Sequence, residues 1–378
     1  MVKSPIGLNV CSWNANGLLR RRVELRIFIE KHSPDIFLIQ ETHLRPSHTF
    51  TIANYTCYRN DRITNAAAAG GTLILIKKSL KHYCLPTPPM QAIEANNIIL
   101  TPLDHDPVSI VSVYIPPSSD DNLFTIDLEY FLQTSSHCVV FGDFNATHSA
   151  WNCNVNSNRG KHLFNFANIL NLHIAFPDSP TRFGHNSANT IDFALIKNFY
   201  YPYTIKSIND LYSDHNPVFL NFDFKLKVES SNPRAITTNW KDFRINLNNN
   251  FSLFNYYPNN INNTNDLETK ITEFTEAVVA THSHSSQPIV KAHRNYTPNH
   301  INQLIKHKNN LRKRYQQTLN PFYKTLCNRA QVNLKKELKI HSNDTWNARL
   351  EALNTTDNSL WEAQRFLKNK RSQIPTLN

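Results

Sequence analysis

The sequence predicts a mixed α/β sandwich over residues 1–224, followed by a basic, all-helical extension. Apolar runs of strand length, separated by few helices, occupy the first part and favour a sandwich over a regular βαβ winding. Charge is divided unevenly: residues 1–224 hold 17 Lys+Arg and 18 Asp+Glu, whereas residues 225–378 hold the other 23 and 11. Beyond residue 225 the apolar residues recur only at helical spacing, within an Asn-rich sequence.

Local patterns place the elements of the sandwich in order. Unbroken or alternating apolar runs predict strands at residues 8–13, 35–40, 72–76, 98–101, 108–114, 138–141, 191–196 and 218–222. A helix is predicted over residues 22–32, where Val23 and Ile27 share one face. A second is predicted over residues 161–170, where Leu163 and Ala167 lie in register.

The second half divides into a predicted linker, residues 225–263, and a basic helical region, residues 264–378. Helices are expected at residues 266–280, from 297 to about 315, from 320 to about 340 and at 360–370. Thr297-Pro298 and Asn320-Pro321 each resemble a helix cap followed by proline in the first turn. Polar residues interrupt the apolar stripes, so these helices are expected to pack poorly alone.

Composition excludes several classes of protein. Hydrophobic residues make up 40% and aromatic residues 11% of the chain, which excludes full disorder. No apolar run approaches the ~20 residues that span a bilayer. Six singly spaced cysteines argue against a zinc site or disulfide scaffold and predict a reducing compartment, nuclear or cytoplasmic. The net charge of +11, concentrated after residue 224, favours a nucleic-acid partner over a merely solvated cationic surface.

Polar side chains lie at the ends of the predicted strands. They are Asn14, Asn16, Glu41, Tyr114, Asp143, Asn145, Asp192, Asp214 and His215. Strand ends of an α/β sandwich meet at one rim, where clustered carboxylates require a cation or protons. Oxygen donors with no cysteine and one histidine suit Mg²⁺ or Mn²⁺ better than zinc. A histidine oriented by an aspartate can donate a hydrogen bond to a phosphoryl oxygen, so the set predicts a metal-assisted phosphodiesterase.

Four segments, in this order and at this spacing, resemble the motifs of the endonuclease/exonuclease/phosphatase family. They are Ser12-Trp13-Asn14-Ala15-Asn16-Gly17, Gln40-Glu41-Thr42, Gly142-Asp143-Phe144-Asn145 and Ser213-Asp214-His215-Asn216-Pro217. The resemblance covers residues 6–224 and implies a four-layer fold, in which helices flank two mixed β-sheets. Each segment alone is a weak match, and the ordered set is a specific one.

Further segments are similar to the endonuclease domain of jockey-like non-LTR retrotransposons. They are residues 58–62, 70–72, 114–117, 159–160 and 179–181, with His148 and Trp151. Residues 360–371 resemble the helix that joins such endonucleases to a reverse transcriptase. The chain has no Tyr/Phe-Ala-Asp-Asp motif, so it resembles the front part of such a polyprotein without reverse-transcriptase activity.

The resemblance implies a role for each matched residue. Catalytic roles fall to Asp143, His215, Asp192, Tyr114, Asn145 and Asp214. Glu41 would bind the metal with Asn14 or Asn16. Contact with nucleic acid is expected from Arg59, Arg62, Thr190, Arg312, Lys313 and Arg314. The implied activity is Mg²⁺- or Mn²⁺-dependent nicking of double-stranded DNA to leave a 3′-hydroxyl that primes reverse transcription, with element RNA as a further partner.

Two residues depart from related patterns. Abasic-site repair members of the family carry Asp where this chain has Asn16, which argues against repair. The jockey-like pattern has glycine where this chain has Asn152, and asparagine tolerates a positive φ better than most residues. Two alternatives stay open: a family phosphatase acting on a small phosphoester, and a nucleic-acid-binding product of a decayed or co-opted element. The basic extension is expected to supply affinity for DNA rather than chemistry.

Overall fold

A computed structural model describes residues 7–63, 67–103, 105–184, 186–224, 236–253, 263–288, 297–355 and 359–368. The chain forms two compact units, one of Met1–Lys227 with Thr297–Asn378 and one of Val228–Tyr296. These units divide the chain differently from the predicted domains, because the helices after residue 297 belong with the sandwich. Division of the chain into separable domains at residues 224 and 263 stays a prediction.

The first unit is built on two six-stranded sheets. Its strands are β1 (Leu8–Asn14), β2 (Ile36–Gln40), β3 (Tyr55–Asn60), β4 (Thr72–Lys77), β5 (His82–Leu85), β6 (Glu94–Leu100), β7 (Val108–Tyr114), β8 (His137–Asp143), β9 (His173–Ala175), β10 (Arg182–Phe183), β11 (Ala188–Asn189), β12 (Asp192–Lys197), β13 (Tyr203–Ser207) and β14 (Val218–Phe222). The sheet orders are β13-β14-β1-β2-β4-β3 and β5-β6-β7-β8-β12-β9. Both sheets are mixed, since β1 and β2 run parallel, as do β7 and β8.

Helices cover the outer face of each sheet. The helices are α1 (Arg22–His32), α2 (Phe124–Thr134) and α3 (Asn158–Ile169). One apolar core lies between the two sheets, a second joins α2 and α3 to their sheet, and a third joins α1 to the other sheet. The predicted four-layer sandwich is therefore confirmed.

Side-chain alternation along the strands explains why three cores form. In β8, Val139 and Phe141 enter the core between the sheets, whereas Cys138 and Val140 pack toward the helices. Successive side chains of a strand point to opposite faces, so a strand buried on both faces is apolar throughout. This is why β2 and β8 were recognisable as unbroken apolar runs.

The second unit contains β15 (Ile236–Thr238), α4 (Trp240–Leu253), α5 (Thr264–His284) and β16 (Ser286–Pro288). β15 pairs antiparallel with β16. Residues 236–253 fall within the predicted linker and contain β15 and α4, which were not predicted. The α4 start is specified locally: the Asn239 side chain accepts hydrogen bonds from the backbone N–H groups of Lys241 and Asp242.

Three further helices follow in the first unit: α6 (Asn299–Thr318), α7 (Pro321–Glu351) and α8 (Ser359–Lys368). The predicted start of α7 is confirmed, because Asn320 accepts a hydrogen bond from the Phe322 N–H and proline occupies the first turn. Ile301, Ile305, Leu334 and Leu338 form the seam between α6 and α7. Among the described residues, no helix is both long and apolar enough to cross a membrane.

One helix of the sandwich, α2, was absent from the prediction. Its N-cap residue, Leu123, makes no side-chain capping hydrogen bond, and two of its apolar residues, Ile126 and Tyr130, face solvent. Helix prediction depends on a capping residue at the start and on an apolar stripe along one face. Both signals are weak in α2. Short edge strands such as β5 and β9 were missed for lack of a long apolar run.

A buried ion pair joins α6 to α1. The Lys308 side chain is fully buried and its Nζ lies 2.6 Å from Glu24 Oε1. Breaking such a pair leaves an uncompensated buried charge, whereas replacing both partners by apolar residues does not. We expect Glu24→Leu to lower the free energy of unfolding by about 3–5 kcal/mol, and Glu24→Leu/Lys308→Met to restore most of it.

Urea denaturation measures this difference. Glu30→Gln, at an exposed position of the same helix, is the matched control and should unfold like the parent protein. Equal destabilisation in the single and double variants would show that lost packing, not the unpaired lysine, dominates.

Candidate active site

Strand register brings the predicted polar residues to one end of the sandwich. In the parallel pair β1–β2, Asn14 lies opposite Gln40, the residue before Glu41. In the parallel pair β7–β8, Tyr114 lies opposite Asp143. Strand β12 runs the other way, so its first residue, Asp192, also lies opposite Asp143. We call this end of the sandwich the rim.

Left-handed residues follow several strands at the rim. Asn16, Glu41 and Asn145 have φ values of 43°, 46° and 47°. Residues other than glycine rarely adopt this conformation, and it is frequent where function constrains the backbone. Gly142 has a different constraint: a Cβ there would lie 1.9 Å from the Val113 carbonyl oxygen, so only glycine lets β8 pass β7 directly before Asp143.

His215 and Asp192 form a buried hydrogen-bonded pair. His215 Nδ1 lies 3.0 and 2.9 Å from the two carboxylate oxygens of Asp192. A carboxylate only accepts, so Nδ1 carries the proton and donates to Asp192. Thr181 fixes the carboxylate by donating its hydroxyl to Asp192 Oδ2 at 2.6 Å. His215 Nε2 faces Asp143, with 3.8 Å to Oδ2.

The electrostatics of this buried array favour a protonated histidine. Burial alone lowers the pKa of His215, but the carboxylates of Asp192 and Asp143 outweigh it and raise that pKa to about 9. Burial raises the pKa of Asp143 above its usual value, although the neighbouring imidazolium opposes this. A carboxylate with a raised pKa is a better proton acceptor at neutral pH.

Asn14 bridges two carboxylates at the rim. Its Nδ2 donates to Glu41 Oε1 at 2.9 Å and to Asp143 Oδ2 at 2.8 Å. Its Oδ1 accepts from the Asn16 backbone N–H, which sets the orientation of the amide. The NH₂ group of Asn14, not its oxygen, faces the two carboxylates, and the predicted role of Asn14 in metal binding stays a prediction.

Glu41 carries a negative charge at the rim. Burial would raise its pKa, but hydrogen bonds from His43, Asn14 and Tyr114 outweigh burial and lower that pKa to about 2. Glu41 is therefore ionised at neutral pH, and 22% of its side chain remains exposed. Burial raises the pKa of Tyr114, so its hydroxyl stays protonated beside Glu41 and is a hydrogen-bond donor.

Asp214, like Asp143, lies near Nε2 of His215. Its Oδ2 is 3.9 Å from His215 Nε2 and 3.4 Å from Arg182 Nε. Burial would raise the pKa of Asp214, but His215 and Arg182 hold it below its usual value. Asn16, which is exposed, directs its Nδ2 to Asp214 Oδ1 at 3.4 Å.

The donor set fits a divalent cation. Ligand atoms of Asp143, Asp192 and His215 lie within 4.8 Å of one another, but Asp192 is already engaged by His215 and Thr181. Asn14 connects Glu41 to Asp143, and both residues have the hard carboxylate oxygens that Mg²⁺ and Mn²⁺ prefer. An acidic cluster able to hold a metal ion is therefore present at the rim.

The predicted nucleic-acid contacts divide into three groups. Arg59 and Arg62, at the rim end of β3, pair with Asp61 and Glu94. Lys313 and Arg314 are exposed on α6. The prediction for Arg312 needs correction, because Arg312 is 4% exposed and its guanidinium donates to Leu211, His215 and Asn216 within the fold. Thr190 is 1% exposed, and its contact with nucleic acid stays a prediction.

Sequence reasoning missed several residues that shape the rim. Thr181 and Ser213 lie within the motif segments but were assigned no role. The Ser213 hydroxyl accepts the His215 N–H and donates to the Asn14 carbonyl. His43 lies 3.5 Å from Glu41, and Arg182 pairs with Asp214. Thr181 and Ser213 lie within motif segments, so the sequence contained a signal for them. His43 and Arg182 lie outside those segments, and no sequence signal pointed to them.

Asn152 occupies the position where the jockey-like pattern has glycine. It ends a short 3₁₀ turn at Ser149–Trp151 with φ 61° and ψ 28°. This left-handed conformation is the one that glycine would adopt, and asparagine tolerates it. Asn152 therefore fits its backbone position.

The chain belongs to the endonuclease/exonuclease/phosphatase family, whose pattern matches residues 11–215. That match confirms the resemblance inferred from the four ordered segments. It includes the residues gathered at the rim from Asn14 to His215.

Proteins of transposable elements are among those to which the chain is similar. The chain is 30% identical to the probable RNA-directed DNA polymerase from transposon X-element of Drosophila melanogaster, over 96% of this chain and 41% of that protein. It is 24% identical to the polymerase of mobile element jockey from Drosophila funebris, over 94% and 40%. The predicted resemblance to jockey-like elements is confirmed. The endonuclease domain of TRAS1, a telomere-specific non-LTR retrotransposon, is 18% identical over 57% of this chain and 98% of that domain, with a TM-score of 0.48.

Proposed function

We propose that this chain is a metal-dependent endonuclease that nicks DNA and leaves a 3′-hydroxyl for target-primed reverse transcription. The observation that carries the proposal is the array Asp192–His215–Asp143 beside ionised Glu41. A cation site, a proton acceptor and a protonated donor within one rim are the components that phosphodiester hydrolysis needs. The chain spans about two fifths of the transposon relatives, so the activity of a longer protein belongs to the same proposal.

The roles follow from the contacts. Asp143 accepts a proton from the attacking water, and Asn145 orients Asp143 by donating its backbone N–H to Oδ1 at 3.0 Å. His215, held by Asp192, donates from Nε2 to a phosphoryl oxygen as charge develops. Tyr114 donates its hydroxyl to the same phosphate, and Asp214 lies toward the leaving oxygen.

Glu41, supported by Asn16 and the bridging Asn14, would hold the cation, which we propose to be Mg²⁺ or Mn²⁺. When bound, the cation would neutralise phosphate charge and stabilise the leaving oxygen. The ionised state of Glu41 at neutral pH supports this assignment. The binding chemistry of hard carboxylate oxygens supports these metals over zinc.

Charge and relatives favour DNA as the substrate over a small phosphoester. The surplus of Lys and Arg after residue 224 attracts a polyanion, and Lys313 and Arg314 are exposed. Arg59 and Arg62 lie at the rim and would meet the flanking backbone. Element RNA is a further proposed partner of the basic region. The six free cysteines fit a nuclear or cytoplasmic location.

A plasmid-nicking assay tests the proposal. Supercoiled DNA should convert to the open circle in Mg²⁺, conversion should stop with excess EDTA, and added Mg²⁺ should restore it. DNA binding without nicking would favour the non-catalytic alternative. Hydrolysis of p-nitrophenyl phosphate without nicking would favour a phosphatase.

The pH dependence of nicking tests the Asp192–His215 pair. If the protonated imidazole is the active form, activity should fall as pH rises through the His215 pKa, which the carboxylates raise to about 9. Asp192→Asn removes the charge that favours protonation, so the alkaline limb of the pH–rate profile should move to lower pH. An unchanged limb in Asp192→Asn would mean that Asp192 does not act through His215.

A further inference from the structure

Helix α6 contacts the segment that carries His215. We call residues 208–217, between β13 and β14, the His215 loop. Few backbone hydrogen bonds join residues within the loop. The Ile208 N–H donates to the Pro217 carbonyl at 2.9 Å, and this bond closes the loop. Leu211, at its centre, has a φ of 53°, a left-handed conformation that leucine rarely adopts without support. The loop therefore depends on contacts from outside.

Arg312 of α6 donates four hydrogen bonds to the loop, in addition to contacts from the sandwich such as Trp13 Nε1 to the His215 carbonyl at 3.3 Å. Its Nη2 donates to the carbonyl of His215 itself at 3.0 Å. Its Nη1 donates to the Leu211 carbonyl at 2.8 Å, and its Nε and Nη2 donate to Asn216 Oδ1 at 3.1 and 2.8 Å. One rigid, planar guanidinium thus fixes three positions of the loop, including the backbone of the proposed catalytic histidine.

Neighbouring residues of α6 extend the same contact. Gln316 Nε2 donates to Asn216 Oδ1 at 2.8 Å. The Tyr315 hydroxyl donates to the Gly184 carbonyl at 2.9 Å, next to β10, where Arg182 forms a β-bridge with His215. Asn309 donates to Asp210 Oδ1 at 2.9 Å. The helix therefore holds the loop both before and after His215.

The chemistry of Arg312 differs from that of a surface cation. It is 4% exposed, and its hydrogen-bond partners are neutral carbonyl and amide oxygens. A charge that is removed from water requires such complete hydrogen bonding to be tolerated. Its neighbours Lys313 and Arg314, which are exposed, keep their charges in solvent. Burial and geometry together assign Arg312 to the loop instead of to DNA.

We infer that Arg312 is a positioning residue that fixes the backbone of His215, so that helix α6 is part of the nuclease. The inference deepens the proposed function, on which its kinetic test rests. It also gives the region after residue 264 a role besides affinity: a protein ending near residue 225 would lose the contacts that hold the His215 loop, and with them turnover as well as binding.

Three variants of the full chain separate positioning from charge and from packing. Arg312→Met removes the guanidinium and keeps an unbranched side chain. Gln316→Ala removes a half-buried contact to Asn216 and is a milder test of the same contact. Lys306→Met removes one positive charge from an exposed position of the same helix and is the matched control.

Two readouts are measured for each variant. The first is kcat and KM for nicking of a DNA duplex. The second is the Nδ1–H proton resonance of His215 in histidine-labelled protein, assigned by its loss in His215→Gln. Its position reports the hydrogen bond to Asp192 whether or not the protein nicks DNA. Thermal unfolding monitored by circular dichroism shows which variants are folded.

For Arg312→Met we expect kcat to fall by about 10²-fold, since small misplacements of catalytic groups have effects of that size, with KM nearly unchanged. The Nδ1–H resonance should shift or broaden. Gln316→Ala should lower kcat and shift the Nδ1–H resonance in the same direction, by smaller amounts. If Arg312→Met does not fold, the result for Gln316→Ala decides whether α6 positions His215. Lys306→Met should retain the parent kcat and resonance.

An unshifted His215 resonance in a folded Arg312→Met, or in Gln316→Ala if the former does not fold, would overturn the inference. So would a rise in KM at constant kcat, because that result indicates a contact with DNA. Absence of nicking by the parent protein would instead refute the proposed function, and the resonance would still decide whether α6 positions His215.

Discussion

Alanine at Asp143 or at His215 should abolish measurable nicking while leaving the protein folded. Loss of one group that stabilises transition-state charge lowers rates by about 10²–10³-fold. Asp143 is fully buried beside His215 Nε2 and His215 is 3% exposed, and the proposed mechanism uses each of the two groups directly. The decrease should appear in kcat, measured from the rate of open-circle formation at saturating DNA.

Asp223→Ala provides the matched control for these variants. Asp223 is exposed and follows β14 at the end of the strand away from the rim, so this variant should nick like the parent. Unfolding temperatures should show that the inactive variants remain folded. Near-normal nicking by both Asp143→Ala and His215→Ala would refute the assignment of the rim as the active site.

Glu41→Gln should weaken metal binding and raise the Mg²⁺ concentration required for half-maximal nicking. Loss of an outer partner of a metal ligand typically reduces affinity about 10–100-fold, and loss of the ligand charge should do at least as much. The side chain keeps its shape, so the hydrogen bond with Asn14 remains possible. Mn²⁺ binding measured by electron paramagnetic resonance gives the affinity independently of activity.

Glu30→Gln makes the same chemical change at an exposed position of α1 and should leave the Mn²⁺ affinity unchanged. If Glu41→Gln bound Mn²⁺ as tightly as the parent, the cation would have to be held elsewhere. Full recovery of the Glu41→Gln rate at high Mg²⁺ would indicate that Glu41 binds the metal without a further catalytic role.

The main layers of the fold were predictable because strands buried on both faces are continuous apolar runs. The rim was predictable for a related reason: the acidic residues Glu41 and Asp143 stand out directly after the apolar residues of β2 and β8. Helix α2, which lacks a cap, and α4, which lies in Asn-rich sequence, gave no such pattern. The position of α2 depends on tertiary packing, and the start of α4 depends on a single capping residue, Asn239.

Within the site, residue types were easier to predict than individual roles. Asn14 has the right chemistry for a ligand, but its orientation is set by the Asn16 N–H, which only the folded chain shows. Arg312 belongs to a basic run with Lys313 and Arg314, and helical periodicity alone decides which of the three is buried. A charged residue is expected at the surface, so its burial against the His215 loop could not be predicted from composition or charge.

The chemistry of the nick tests the central proposal most directly. Plasmid nicked by the purified chain in Mg²⁺ is freed of protein and incubated with a template-dependent DNA polymerase and labelled nucleotides. The proposed mechanism leaves a 3′-hydroxyl, so label should enter the open circle at once and without phosphatase treatment. Label that enters only after a 3′-phosphatase has acted would show a 3′-phosphate end, which contradicts the proposed cleavage and its use as a primer.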